Sequence, residues 1–578
     1  MTAAPPYGRR EDVRARRLDF ALGALLLLFC FTGVFDHGLW TTNDTRGAAM
    51  ALDMERHGTW VIPTINGEAY LEKPPLMYWA VLILARLFGG VTEGVARLPS
   101  ALAGFATLLL MRRFTMDRLT GWAAAFLCAT SITFLEYSRA VMTDMTLAFC
   151  VMLALYVFWR TDERPVKEPL HWLPFLAVSA VSFYAKALVG PALIWCAVAA
   201  YLLWTRRPAQ LAGLAAGFVP VFLLIVLPWL SALVRFGGYE ALRYMFWTNQ
   251  AGRFLDLRTP TMPTNPMTAH KEPIWYYLFH LPEAIGVSAT LVAAALIAWF
   301  RKGSAFRGRQ AVFLRCSAVG MFVLLHVSTA RVAVYALPLF PVLFLMTGAW
   351  LADFARQEKQ GVAERALVWI SGLAWLLLVA GVPAACAAAA LARPELFPSA
   401  EGLGPGRFLT GGAFCLAAMC LGAFVLLRQV RRGPRRLVLP LLPAAGALAL
   451  FLDYQLIAPI LERHKSYVPF ARFAEAESRG GELAIGTVEY NTIGAFTFYL
   501  DRRLPVLPGP AEIAAYLSAD RPRAVIVARR DLTKWVRALS SVPHEERSLE
   551  DAGARSHDFV LLTNRPPDES RSTRGSPS

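Results

Sequence analysis

Long apolar runs separated by short basic loops fill most of the chain before residue 460. Runs such as 20–35 and 366–391 approach or exceed the roughly 18 to 20 residues that cross a bilayer as a helix. Basic loops of membrane proteins lie in the cytoplasm, so an even number of crossings must separate neighbouring basic clusters. The pattern therefore predicts thirteen transmembrane helices with the N-terminus inside and the C-terminus outside. They lie near 18–38, 97–111, 121–135, 141–159, 171–186, 187–204, 210–234, 281–300, 311–328, 332–352, 366–391, 408–427 and 437–459.

One apolar run, residues 76–88, is too short to be counted among them. It is bounded by Pro75 and Gly89, and runs of about 10 to 14 residues are more often interfacial than spanning. Counting it as a crossing would also put every later arginine cluster on the outer side. We therefore predict an amphipathic helix that lies flat on the outer membrane surface.

The remaining sequence divides around this membrane part. Residues 460–565 alternate short strand patterns with helix patterns, which predicts an extracytoplasmic α/β domain with a largely parallel sheet. Its expected strands are 482–488, 504–507, 523–528 and 558–562. No glycine-rich phosphate loop follows any of them, so nucleotide binding there is not supported. The full expected division is a disordered cytoplasmic tail at 1–17, a transmembrane domain at 18–459 with outward loops at about 39–96 and 235–280, the α/β domain, and a disordered tail at 566–578.

Composition agrees with a polytopic α-helical membrane protein. Hydrophobic residues make up 56% of the 578 positions and charged residues only 17%, with a mean hydropathy of +0.43. A soluble protein of this size would carry more charge. The formal net charge of +16 does not predict a nucleic-acid partner, because the arginines lie in the short loops where the positive-inside rule places them.

The first outward loop opens with the segment Asn43-Asp44-Thr45-Arg46. Asp44 is a candidate general base for an acceptor hydroxyl or amine. Arg46 is a candidate phosphate ligand because its planar guanidinium suits phosphate oxygens. The alternative is that this segment only caps the following helix through its side-chain oxygens. The two roles can coexist.

A second polar group, Tyr70 with Glu72-Lys73-Pro74-Pro75, precedes the flat helix. Paired prolines fix the backbone and place Lys73 where a lipid phosphate would lie. Tyr70 suits the headgroup layer, with an apolar ring and a polar tip. The alternative for Lys73 is interfacial snorkelling without a specific ligand.

Asp144 lies about one turn into an apolar segment from its outer end. A carboxylate inside a membrane segment is a functional candidate by default. An alternative is a structural pair with Arg139, five residues earlier. Lys186 also interrupts an apolar run, but it falls at a predicted outer turn, so we interpret it as snorkelling.

The later outward segments carry fewer candidates. Arg331 and Tyr335 lie at the predicted start of a helix on the outer side. They can either bind a phosphate or anchor the helix at the membrane interface. His270 lies in the second outward loop, and a single histidine with a distant Glu72 is a weak metal signal. None of the 8 cysteines has the spacing of metal ligands.

Taken in order, these segments resemble the polyprenyl-phosphate-sugar-dependent glycosyltransferases of the GT-C fold, in the aminoarabinose transferase and protein mannosyltransferase superfamily. The resemblance spans roughly 18–345. Its motifs are Trp60-Val-Ile-Pro-Thr-Ile-Asn-Gly67, Tyr70-Leu-Glu-Lys-Pro-Pro-Leu-Met-Tyr-Trp79, Ala96-Arg-Leu-Pro-Ser-Ala101, Ser138-Arg139 with Asp144, Lys186-Ala-Leu-Val-Gly-Pro191, and Ser328 with Arg331 and Tyr335-Ala-Leu-Pro338.

The resemblance implies inverting transfer of a sugar from a polyprenyl phosphate to a lipid A, glycan or protein acceptor on the outer face of a bacterial inner membrane. It implies catalytic roles for the acids Asp44 and Asp144. By the same resemblance, Arg46, Lys73 and Tyr335 contact the donor phosphate with Tyr70 close by, and we add Arg139 and Arg331 to that set. Glu72 and His270 fall where relatives can hold a divalent metal. The expected partners are the donor, the acceptor and membrane lipids.

The sequence departs from the family pattern Asp-Glu-x-Arg, because Asn43 stands where the first acid is expected. An amide can neither take a proton nor supply charge to a metal. Gly47 likewise replaces a tyrosine that often follows the arginine. Two rival functions therefore stay open: a non-catalytic polyprenyl-phosphate binder or flippase, and an ion-coupled transporter. The transporter predicts inverted repeats and broken mid-membrane helices, and the sequence has no clear sign of either.

Overall fold

The structure is a computed structural model of the 578-residue chain. It describes all residues except 1–5, 116, 165–167, 252–271, 302–303, 357–361, 393–412, 414–437, 479, 541, 550–557 and 565–578.

Long helices form the part of the chain that we expect in the membrane. They are Pro6–Phe31, Glu93–Phe114, Arg118–Ala129, Ile132–Tyr137, Thr143–Asp162, Leu173–Val181, Phe183–Lys186, Val189–Trp204, Pro208–Arg243, Tyr276–Ile285, Ala289–Phe300, Arg309–Val327, Phe340–Arg356, Val362–Ala392 and Val438–Lys465. Short 3₁₀ segments at Pro169–Trp172, Gly286–Ser288 and Ala333–Leu339, and a π-helix at Tyr244–Ala251, extend or join them. The fold is mostly helical, as predicted.

Six stretches of the described chain are long and apolar enough to cross a membrane. They are Glu93–Phe114, Thr143–Asp162, Pro208–Gln250, Tyr276–Phe300, Arg309–Val327 and Ala333–Arg356. The other predicted spans that fall on described residues are also helical. The predicted span 408–427 lies outside the described residues apart from position 413, so the number thirteen stays a prediction.

Several helix bounds differ from the prediction. Residues 6–17, expected to be disordered, belong to the helix Pro6–Phe31. The predicted span 121–135 breaks at Thr130-Ser131, where both hydroxyls donate to carbonyls of the preceding turn, at Phe126 and Cys128. Such bonds compete with the helical ladder. The predicted span 171–186 is also broken, at Ser182, between Leu173–Val181 and Phe183–Lys186.

The first outward loop is a compact layer. It contains the helix Thr42–His57, a short hairpin of β1 (Thr64–Ile65) and β2 (Glu68–Ala69), and the helix Leu76–Phe88. The last of these is the predicted flat helix. Its inner face is buried in the loop core, while Ile83, Leu87 and Phe88 are more than half exposed. An exposed apolar edge of this kind suits contact with lipid, and the placement of this helix on the membrane surface stays a prediction.

Residues 468–563 form a four-stranded sheet with helices packed against it. The strands are β3 (Glu482–Gly486), β4 (Arg523–Ala528), β5 (Glu545–Arg547) and β6 (Phe559–Thr563), in the spatial order β3-β4-β6-β5. The helices are Val468–Ser478, Tyr490–Tyr499, Pro510–Leu517 and Arg529–Leu539.

The prediction of a largely parallel sheet is wrong. Only β3 and β4 are parallel, while β6 runs antiparallel to both of its neighbours. Residues 504–507 form no strand, only a single bridge between Val506 and Ile485. Proline lacks the N–H that a ladder needs, and Pro505 and Pro508 on either side of that bridge stop it from extending.

This last part of the chain packs directly on the first outward loop. The Asp53 carboxylate accepts two hydrogen bonds from the Arg503 guanidinium, at 2.8 and 3.1 Å. Asn66 exchanges a pair of 2.8 Å hydrogen bonds with the backbone of Leu504. Burial opposes ionisation of Asp53, but the Arg503 and Thr64 hydrogen bonds hold the pKa of that carboxyl below its usual value. The loop and the sheet therefore form one contiguous layer.

Close helix packing inside the membrane part gives a first prediction. A Cβ on Gly320 would lie 2.3 Å from the Cys196 carbonyl oxygen on the helix Val189–Trp204. Gly320→Ala should therefore force two packed helices apart and destabilise the protein by about 1 to 3 kcal/mol, measured as a lower unfolding temperature in detergent. Gly213→Ala is the matched control, because no atom lies within 4 Å of its Cβ position. An equal unfolding temperature for the two variants would contradict this packing.

Candidate active site

Asp44 anchors the outer loop to the membrane helices. Its Oδ2 lies 3.3 Å from Nη2 of Arg97, and its Oδ1 accepts the Val141 N–H at 2.7 Å. Both charged side chains are buried, and Arg97 also donates to the carbonyls of Val34, His37 and Gly38. A buried charge is tolerated when it is paired and hydrogen-bonded in this way. The prediction that this segment caps the helix is wrong, because residues 43–46 lie inside the helix Thr42–His57 and its cap is Thr41, which accepts from the Asp44 N–H at 3.2 Å.

The position after Arg46 requires glycine. A Cβ on Gly47 would lie 2.6 Å from Cγ1 of Val141 and 3.1 Å from its carbonyl oxygen. The backbone of the loop helix thus approaches the segment before Asp144 too closely for any side chain. This contact accounts for the missing tyrosine at position 47.

Arg46 lies in a polar group with Asn43, Tyr70 and Glu72. Its Nη2 donates to Oδ1 of Asn43 at 3.1 Å, and its guanidinium carbon lies 5.5 Å from the Tyr70 ring centroid. Burial raises the pKa of Tyr70, so its hydroxyl stays protonated and donates to the Glu72 carboxylate at 2.8 Å. Asn43, which stands where the resemblance expects an acid, therefore holds the Arg46 guanidinium through a neutral amide oxygen.

Lys73 is the electrostatic centre of the site. Its amine interacts with the charges of four neighbours: Arg46, Glu72, Asp144 and Lys186. Burial first, and then the nearby charge of Arg46, lower the pKa of Lys73 to about 8, although the carboxylates of Asp144 and Glu72 oppose this shift. These charges belong to the first outward loop, the Asp144 helix and the short helix of Lys186.

Asp144 is fully buried and pairs with Lys186 rather than with Arg139. Oδ1 of Asp144 lies 2.5 Å from the Lys186 amine, which also sits 4.0 Å from the Tyr335 ring centroid. Oδ2 of Asp144 is buried without a hydrogen-bond partner among the described residues. The interpretation of Lys186 as a snorkelling side chain is therefore wrong. Its short helix ends at Lys186, and the following residue Ala187 has a positive φ of 48°.

Two predicted phosphate ligands make other contacts. Arg139 donates to the Phe29 carbonyl at 2.8 Å and stacks over the Phe29 and Tyr454 rings. Arg331 donates to the carbonyls of Glu272 and His326. Both guanidinium groups are thus held by backbone oxygens.

The metal prediction stays untested. His270 lies outside the described residues, and within the described part of the chain no three His, Cys, Asp or Glu side chains group closely enough to hold an ion.

Sequence reasoning missed Arg97 and the pairing of Lys186. A signal for both exists, since each is a cation inside an apolar segment, and such residues are functional candidates. The pairing of Arg97 could not be predicted because its partner, Asp44, is 53 positions away in the sequence. The pair between Lys186 and Asp144 is likewise separated by 42 positions.

Several known proteins are similar to this chain in sequence or in fold. Residues 72–231 match the family model described as dolichyl-phosphate-mannose-protein mannosyltransferase. The crystal structure of ArnT from Cupriavidus metallidurans bound to undecaprenyl phosphate superposes with a TM-score of 0.69 and 19% identity, over 95% of this chain and 98% of that one. The chain has the GT-C fold of ArnT. The resemblance predicted from the motifs is thereby confirmed.

Two curated transferases are also similar to this chain in sequence. The undecaprenyl phosphate-α-4-amino-4-deoxy-L-arabinose arabinosyl transferase of Pseudomonas aeruginosa strain UCBPP-PA14 is 28% identical over 361 residues, which is 61% of this chain and 63% of that protein. The transferase of the same name from Pseudomonas savastanoi pv. phaseolicola is 28% identical over 366 residues, covering 61% and 66%. The chain thus matches somewhat under two thirds of the length of the first of these relatives.

The low pKa of Lys73 gives a second prediction. Without ligand, its amine should lose its proton with a midpoint near pH 8, measured by the pH dependence of Lys73 labelling with an amine-reactive reagent and mass spectrometry. Affinity for inorganic or lipid phosphate should fall as pH rises above that midpoint, because the neutral amine attracts no anion. Arg46→Gln should raise the midpoint by removing a repelling charge. A midpoint near the ordinary lysine value of about 10.4 would contradict this environment.

Proposed function

We propose that this protein is a membrane glycosyltransferase that moves a sugar from a polyprenyl-phosphate donor to an acceptor outside the cytoplasmic membrane, with inversion. The proposal depends above all on the convergence of Arg46, Lys73 and Lys186 beside Asp144. It is supported by the GT-C fold and by the similarity to named undecaprenyl-phosphate sugar transferases.

The donor phosphate would bind to Arg46 and Lys73. Both are cations fixed in a partly dry site, where charge is worth more than in water. When an acceptor oxygen forms its bond to the anomeric carbon, the bond from that carbon to the phosphate oxygen breaks. The lipid phosphate leaves with the electron pair, and these cations stabilise its growing negative charge. The guanidinium of Arg46 lies over the Tyr70 ring, and the Lys186 amine lies over the Tyr335 ring.

The two candidate acids take different roles in this proposal. Asp44 has both oxygens engaged, by Arg97 and the Val141 N–H, so we assign it to positioning Arg46 and the segment before Asp144. Asp144 keeps Oδ2 without a partner among the described residues and would accept the proton of an acceptor hydroxyl. An acceptor that is already an anion would need no base, and then Asp144 would only balance the charges of Lys186 and Lys73.

The remaining assignments follow less directly. Arg331 and Arg139 already donate to backbone oxygens, so we place them behind the phosphate ligands as supports of the surrounding helices. We also propose that Glu72 and His270 hold a divalent metal, and none of the reaction steps described above depends on it. The acceptor is a lipid, a glycan or a protein.

A non-catalytic polyprenyl-phosphate binder or flippase is the second candidate. One observation favours it: Asn43, at the place of the family acid, is neutral and bonded to Arg46. Such a protein would bind undecaprenyl phosphate through the same cations without releasing sugar from a donor.

Transfer of labelled sugar in membranes tests the proposal and separates the two candidates. Lys73→Ala and Asp144→Asn should each lower the rate by about 100-fold or more, the usual effect of removing a charge-stabilising group or a general base. Arg160→Ala is the matched control, because Arg160 forms an exposed pair with Glu163 at the other end of the Asp144 helix. Full activity in both site variants would overturn the assignment, and phosphate binding without any sugar release would favour the binder.

We also propose that the sheet after residue 468 lies outside the cytoplasmic membrane in a multi-pass inner-membrane protein. The support is its packing on the first outward loop through Asp53, Asn66 and Arg503. The loop and the sheet must share one side of the membrane, and the arginine-rich loops assign the other side to the cytoplasm.

Cysteine accessibility tests this topology. In a cysteine-free background, a cysteine at the exposed position Asp520 should react with a membrane-impermeant maleimide in intact spheroplasts. A cysteine at Arg113, exposed at the opposite end of the helix Glu93–Phe114, should react only after lysis. The reverse labelling pattern would invert the topology.

A further inference from the structure

The helix Tyr490–Tyr499, which belongs to the last part of the chain, packs against the backbone of the active-site loop. A Cβ on Gly494 would lie 2.8 Å from the Thr45 carbonyl oxygen and 3.1 Å from the Arg46 Cα. At the far end of this helix the Tyr499 hydroxyl accepts the Leu39 N–H at 2.6 Å. The helix is thus held against the residues that position Arg46, with no room for a side chain between them.

This packing places Tyr490 at the rim of the site. Its ring meets the Tyr70 ring edge to face, with centroids 5.8 Å apart. Tyr70 in turn contacts Arg46 through its ring and Glu72 through its hydroxyl. Tyr490 is only half-buried, so part of its surface stays open to a ligand.

The hydroxyl of Tyr490 is a neutral hydrogen-bond group. Burial raises its pKa, and the carboxylates of Glu68 and Glu72 raise it further. At neutral pH it therefore carries a proton that it can donate. A tyrosine with an accessible ring and a donating hydroxyl offers both an apolar face and a polar tip.

We propose that Tyr490 forms one wall of the subsite for the sugar that the donor carries. This inference rests on the proposed function, in which Arg46 and Lys73 hold the donor phosphate. The sugar is bonded directly to that phosphate, so it must lie in the next shell of residues, on the outer, water-facing side. Tyr490 packs on Tyr70, one side chain beyond Arg46. The ring would pack on the C–H face of the sugar, while the hydroxyl would bond a sugar oxygen or nitrogen. The sheet-bearing part of the chain would then contribute to substrate recognition rather than only cover the site.

Two lipids, with and without the sugar, test the inference. The probes are undecaprenyl phosphate and undecaprenyl phosphate-4-amino-4-deoxy-L-arabinose, titrated into the full-length protein in detergent micelles. The bare lipid is a phosphate monoester with more negative charge than the sugar-bearing diester, so each variant is compared with the wild-type protein on the same lipid. Tyr490→Ala should weaken binding of the sugar-bearing lipid by about five- to tenfold and leave the affinity for undecaprenyl phosphate unchanged. Tyr490→Phe should keep the part of the affinity for the sugar-bearing lipid that comes from the ring.

Tyr499→Phe is the matched control. It removes a hydrogen bond between the same helix and the loop but leaves Tyr490 in place, so the affinity for the sugar-bearing lipid should fall no more than the affinity for undecaprenyl phosphate. Equal losses for both lipids in Tyr490→Ala, or no loss for either, would overturn the inference. A wild-type protein that binds neither lipid would instead overturn the proposed function on which the inference rests.

Discussion

The buried contact between Asp44 and Arg97 is the constraint on which the rest of the site depends. One oxygen of Asp44 meets the guanidinium of a residue in a membrane helix, and the other accepts the backbone N–H of Val141. Arg46 follows two residues after Asp44, and Asp144 follows three residues after Val141. A single carboxylate therefore fixes the spacing between the two halves of the site. Since removing one partner of a buried pair leaves an uncompensated charge, this joint resists rearrangement.

The site gathers cations that would repel one another without a compensating arrangement. Arg46, Lys73 and Lys186 are close enough to interact electrostatically, and Glu72 and Asp144 offset part of their charge. The remaining positive charge is what an anionic phosphate would neutralise. The low pKa of Lys73 has the same cause, because burial and a neighbouring cation both disfavour its charged form. A site of this kind is electrostatically incomplete until an anion binds, which suits the lipid phosphate that the proposed function places there.

Much of this arrangement could be predicted from the sequence because it follows from local patterns. Apolar run lengths and basic loops predicted the helices, and the short run 76–88 between Pro75 and Gly89 formed a separate helix at nearly the predicted bounds. Long-range pairings could not be predicted in this way. Nothing local distinguishes a snorkelling Lys186 from one that pairs with Asp144. The prediction of a largely parallel sheet was wrong for the same reason. The direction of β6 depends on how the chain returns beside β4 and not on the residue pattern of either strand.

The outer layer and the membrane helices meet at one polar site, and its ligand can be observed directly. A cryo-EM or crystal structure of the protein with undecaprenyl phosphate is therefore the most direct measurement. It should place the phosphate within about 3 Å of the Lys73 amine and the Arg46 guanidinium, the range of charge-assisted hydrogen bonds, with Asp44 still on Arg97 and Val141. A phosphate bound away from both cations, or an Asp44 that leaves Arg97 to contact the ligand, would contradict the central claim.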